Sequence, residues 1–241
     1  MNCLPPSSPL GLLLHVIFLT SMLACPWLQA TPLRILAWDD SIAARKLALA
    51  DSKEPVPIEG MHPSKRTKIY HVKAGDKPLT ILALDKTGPD GKPAVSAVII
   101  PQDTKHPLLL LLPDEKSAAG LRLIVFDDDP ANFPWGTTRF INASGAKLAI
   151  KFDKKNIVLP ASWTPVLVNP GGANRNMETQ LFFFNEPASP IYSGIWEQQQ
   201  DIRTLVFLVQ GKDPRLGPVA MKMIPEHRRA LEANAKSKAG K

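Results

Sequence analysis

The sequence predicts an all-β protein built as an antiparallel β-sandwich, either one large sandwich or two small ones. Three observations carry this. Short apolar runs recur along the chain, with 24 prolines and 14 glycines to punctuate them. Several runs alternate large apolar with polar side chains, the period-2 mark of a strand with one buried face. Good helix formers gather only near the C-terminal end, over Glu226–Ala235.

The strands are expected in the following order. Leu33–Trp38 and Lys46–Ala50 come first, then a loop over 51–64 rich in proline and glycine. Lys68–Val72 resumes the pattern. Leu79–Asp85 and Ala94–Ile100 flank Lys86–Lys92, a run of turn formers, and so read as a hairpin with a long loop. Pro107–Pro113 holds five consecutive leucines between two prolines. It is too short for a typical helix and reads as a strand covered on both faces.

Asp114–Gly120 is polar and marks a boundary between two halves. Leu121–Asp127, Thr137–Ala143, Lys147–Phe152 and Trp163–Val168 follow as strands, then a turn at 170–174. Thr179–Phe184, Ile191–Trp196, Thr204–Val209 and Pro218–Ile224 complete the set. In Leu205–Val209 both faces are apolar, which places this strand centrally. No internal repeat is evident. The expected organisation is an N-terminal β-region over 31–113, a C-terminal β-sandwich over 120–224 and a basic tail over 225–241, helical at first and disordered from 236. The two halves fit small immunoglobulin-like sandwiches.

Residues 1–30 are expected to be a signal peptide. Leu10–Ala24 is an apolar run shorter than the roughly 20 residues a membrane-spanning helix needs. Cleavage after Ala30 starts the mature chain at Thr31. The segment ahead of the run lacks Lys and Arg, a departure from the usual pattern. Met22-Leu23-Ala24-Cys25 resembles the lipobox of bacterial lipoproteins, which implies a lipid anchor at Cys25 as the competing fate. Met22 and Leu23 stand where that pattern places leucine and a small residue. Both cysteines, Cys3 and Cys25, precede the expected cut, so the mature chain is thiol-free and holds no disulfide. A cysteine-free exported chain of this size points to a bacterial envelope, secreted or periplasmic.

The net charge is +7 and the isoelectric point about 9.4. Such a surface keeps a protein soluble and favours anionic polymers. The chain carries no helix-turn-helix, zinc-finger or RNA-binding signature, so nucleic acid is not the expected partner. An envelope polymer, a glycan or another envelope protein is.

Two sets of residues carry candidate chemistry. Asp127, Asp128, Asp129 and Asn132 supply oxygens at a strand end, the ligand type calcium prefers, although not with EF-hand spacing. Capping of a turn explains the same residues. Trp135 lies in a loop, and Tyr192 and Trp196 share one strand face with Gly194 between them. Such a face can stack on sugar rings; ordinary core packing is the alternative. The mature histidines lack metal spacing, and no Gly-x-Ser-x-Gly elbow or phosphate loop occurs. Asn142-Ala143-Ser144 matches a glycosylation sequon. The sequence thus leads to an exported, non-catalytic β-sandwich with a binding or structural role in the envelope and no resident cofactor. A carbohydrate-binding module is one alternative. A hydrolase whose residues converge only in three dimensions is the other.

Overall fold

The computed structural model describes residues 30–50, 54–73, 75 and 77–239. The expectations for the signal segment and for Cys25 lie outside these residues. The protein is all-β, and its described residues form sixteen strands in four sheets of four.

The first half contains β1 (Ala30–Ala37), β2 (Leu47–Leu49), β3 (Val56–Pro57), β4 (Tyr70–Lys73), β5 (Leu79–Thr87), β6 (Pro93–Val98), β7 (Pro107–Pro113) and β8 (Leu121–Asp127). A short helix, α1 (Asp40–Ala43), joins β1 to β2. The strands form two sheets, β4-β1-β7-β8 and β3-β2-β5-β6. The second half contains β9 (Thr138–Ala143), β10 (Leu148–Phe152), β11 (Lys155–Leu159), β12 (Ser162–Val168), β13 (Arg175–Phe183), β14 (Tyr192–Gln198), β15 (Ile202–Gln210) and β16 (Val219–His227). Its sheets run β12-β9-β15-β16 and β11-β10-β13-β14.

These orders are the same. Strand β1 corresponds to β9, β2 to β10, and so on to β8 and β16. Even the exception to antiparallel pairing repeats: β1 runs parallel to β7, with Arg34 beside Leu108, and β9 runs parallel to β15, with Arg139 beside Leu205. The protein is therefore a tandem structural repeat, contrary to the expectation from sequence. Its trace in the chain is faint. Arg34-Ile35-Leu36 matches Arg139-Phe140-Ile141, and Lys46-Leu47-Ala48-Leu49 matches Lys147-Leu148-Ala149-Ile150. Between these pairs lies α1 in one repeat and a tight turn in the other, which hides the period.

The four sheets stack as layers with three cores between them. Alternation along the strands assigns each side chain to its core. Ile35, Leu109 and Leu111 face the first core, inside the first sandwich. Leu36, Leu108, Leu110 and Leu112 face the middle core, where the two sandwiches meet. On β15, Leu205 and Phe207 point into that middle core, while Val206 and Leu208 point into the third, inside the second sandwich. Double-sided burial is why β7 and β15 read as unbroken apolar runs.

Two boundaries differ from the sequence reading. Asp114–Gly120 is the hairpin loop between β7 and β8, so the first repeat ends after β8 rather than before it. At the C-terminal end, β16 continues to His227, because Arg203 pairs with Glu226 across the sheet. Helix α2 (Arg228–Ala239) follows. Strand β11 was not expected: three of its five residues are exposed.

Candidate functional site

The acidic cluster does not form one ligand set. Asp127 accepts hydrogen bonds from the Asp129 backbone N–H at 3.0 Å and from Asn132 Nδ2 at 2.6 Å. Asp129 accepts one from the Ala131 N–H at 2.9 Å. These residues tie up a turn. Asp128 points the other way, as alternation at a strand end requires, and is buried. Among the described residues, no three His, Cys, Asp or Glu side chains are placed to hold a metal ion.

Asp128 belongs instead to an ion network between the two repeats. Arg66 makes a bidentate contact to it, Nε to Oδ2 at 2.9 Å and Nη2 to Oδ1 at 3.0 Å. Arg34 bridges Asp128 and Glu226. Arg203, whose side chain is 1% exposed, donates to Glu226 Oε2 at 2.6 Å and 2.8 Å. It also donates to the carbonyls of Asp128 and Phe133, both at 3.0 Å. The duplication explains the arrangement: Phe126 and Ile224 hold matching register positions, so Asp128 and Glu226 do too. Burial raises the pKa of both carboxyls, but Arg66, Arg34 and Arg203 outweigh it and hold both below their ordinary values. Three guanidiniums face two carboxylates. The surplus positive charge meets aromatic faces, since Arg203 lies 4.9 Å from the ring centres of both Phe133 and Trp135. This network joins the halves and leaves its carboxylates fully engaged.

The aromatic candidates fare differently. Trp196 is a core residue, 9% exposed, stacked on Phe140 at 6.0 Å and edge-on to Phe152 at 5.5 Å. Its Nε1 donates to the Tyr192 hydroxyl at 2.9 Å. Tyr192 reaches it by lying across Gly194, where an added Cβ would sit 2.3 Å from the tyrosine oxygen. Tyr192 and Trp196 thus form no open flat platform. They line one wall of a cleft of about 350 Å³ beside β14. Phe152, Met177 and Ile195 add apolar surface, and Thr137, Thr138 and Thr204 add hydroxyls. Among the described residues, Glu197 is the one charged residue in the lining.

Trp135 lines a neighbouring groove of about 530 Å³ together with Asn174, Gln200, Asp201, Arg228 and Arg229. Its ring carries the Arg203 and Arg228 guanidiniums, at 4.9 Å and 5.6 Å from the centre. The loop before it closes through Gly136, whose positive φ of 77° favours glycine. Gln198 donates to the Gly136 carbonyl at 2.7 Å and lines both the cleft and the groove. The structure therefore places Tyr192 and Trp196 in the cleft and Trp135 in the groove, two cavities that share Gln198 in their linings. Sequence reasoning missed Gln198, Asn174 and Arg228. It also missed the ion network, whose visible signal was an arginine inside each of two apolar strands, Arg34 and Arg203.

The sequon at Asn142 is structural. The side chain is 2% exposed, and its Nδ2 donates to the Ala146 and Leu159 carbonyls at 2.8 Å and 2.9 Å. No protein-family model matches the chain, and no curated protein sequence matches it.

Proposed function

We propose that the protein is an exported, non-catalytic binding protein of the bacterial envelope, and that it holds a glycan on its second repeat. One observation carries the reading: the cleft beside Tyr192 and the groove beside Trp135 adjoin at Gln198. Together they offer aromatic and aliphatic walls with hydroxyl and amide groups spaced along them, the mix that suits the alternating CH and OH surfaces of sugars. The buried carboxylates nearby are spent on arginines, which supports a binding rather than a catalytic role. The apolar N-terminal run and the placement of both cysteines ahead of Thr31 support export.

Titration of the chain from Thr31 to Lys241 against a panel of envelope polysaccharides tests this. Saturable binding to at least one is expected, weakened by Ile195→Glu, which alters a cleft residue 66% exposed to solvent and spares the core. The proposal fails if no glycan binds, or if Ile195→Glu binds as tightly as the parent.

A further inference from the structure

The two adjoining cavities differ in charge, and the difference bears on the ligand. The cleft holds Glu197 and no cation. The groove holds two arginines and Asp201. Arg229 Nε lies 3.2 Å from Asp201 Oδ2, so that pair is internally balanced. Arg228 is exposed, and among the described residues its guanidinium meets no carboxylate. Its backbone N–H donates to the Asp201 carbonyl at 2.9 Å, and its guanidinium sits over the Trp135 ring. The backbone bond places the residue, and the ring contact sets its cation beside Trp135 before a ligand arrives. Arg203, under the same ring, belongs to the network with one guanidinium in excess, so the local field is positive.

The amides complete the arrangement. Asn174 Oδ1 accepts from the Gln200 N–H at 2.9 Å, and Gln200 Nε2 donates to the Gly172 carbonyl at 3.0 Å. Those bonds engage one atom of each amide; both residues are exposed, and the Asn174 amide hydrogens and the Gln200 side-chain oxygen are the groups a ligand hydroxyl would meet.

Resting on the glycan reading above, we infer that the Trp135 groove is an anion subsite: it takes the carboxylate or phosphate of an acidic sugar unit on Arg228. The uncharged part of the same chain crosses Gln198 into the cleft.

The test compares acidic polymers with uncharged ones, and the two uronate pairs share a backbone. The chain from Thr31 to Lys241 is titrated with polygalacturonate and its methyl ester, with alginate and its propylene glycol ester, and with poly(glycerol phosphate) beside dextran. Acidic members are expected to bind about tenfold more tightly than neutral ones at low salt. Raising the salt should shrink the gap. Arg228→Gln should weaken the acidic polymers far more than the neutral ones and so close the gap between them, with an unaltered melting temperature. Preference for the uronates assigns a carboxylate, and preference for poly(glycerol phosphate) a phosphate. Neutral polymers binding as tightly as acidic ones, or Arg228→Gln keeping the charge preference, would overturn the subsite and leave the glycan reading standing. Binding to no member would overturn both.

Discussion

The two repeats share strand order, register and even their parallel pair, yet differ at one edge. In the first repeat β6 closes onto β8: Ser96 Oγ lies 3.3 Å from the Leu121 carbonyl and 3.4 Å from Ser117 Oγ. In the second, the edge of β14 borders a cleft of about 350 Å³. Register places Tyr192 where the first repeat has Ser96, and Gly194 where it has Val98. A serine is short enough to let the strands meet. A tyrosine lying across a glycine occupies that space and turns its hydroxyl to Trp196 instead. Few side chains at a sheet edge thus decide where each sandwich opens: the second has its cleft beside β14, and the first has a hollow of about 470 Å³ at the turn between β5 and β6, lined by Pro89, Ala94 and Val95.

The largest expected effect tests whether the repeats fold as one unit. Phe207 and Leu110 hold matching positions and both enter the middle core. Phe207→Ala should cost about 3–5 kcal/mol and Leu110→Ala about 2–5 kcal/mol. Calorimetry should show a single transition in both variants. Two separated transitions would mean that each sandwich stands alone. Lys147→Ala, on the exposed side of the same repeat as Phe207, should change stability by less than about 0.5 kcal/mol.

Acid should act at the junction next. The Asp128 and Glu226 carboxyls titrate lower in the folded chain than in the unfolded one, so the folded state binds fewer protons. Their contribution is fully present above the unfolded values of about 3.9 and 4.3, and is lost as pH falls through the lower folded values. Urea midpoints should hold from about pH 5 to 7 and fall below about pH 4. Asp128→Asn should lower the midpoint at neutral pH and flatten the acid limb. An equally steep acid limb in that variant would show that other carboxylates govern it.

A smaller effect addresses the edge itself. Tyr192→Phe removes the acceptor of the Trp196 N–H and should cost about 1 kcal/mol. Fluorescence of the Trp196 indole should shift as that hydrogen bond is lost. No change in either would mean that the tyrosine hydroxyl does not hold the cleft wall.

Much of the fold was legible because burial leaves periodic marks. The leucine run of β7 and the apolar β15 announced burial on both faces, and the structure puts each between two cores. The repeat escaped notice because sandwich cores specify apolar character rather than identity, and the connections differ in length. Strand β11 escaped because it opens on Lys155 and Asn156 at an exposed edge. At the site, the three aromatics were visible as residue types. Their convergence was not, since Gln198 and Gly136 are joined only by the folded chain. Asp128 was grouped with its neighbours although alternation sets it on the opposite side. Its partners Arg34, Arg66 and Arg203 lie far along the chain.

On the proposed function, the second repeat binds and the first supports it. Hydrogen exchange of the chain from Thr31 to Lys241, with and without the tightest polymer of the panel, tests this most directly. Slowed exchange is expected over 135–138, 171–174 and 192–200, which line the cleft and groove. No change is expected over 93–98 and 121–127, the matching edge of the first repeat. Protection of that first-repeat edge, or none at the second, would contradict it.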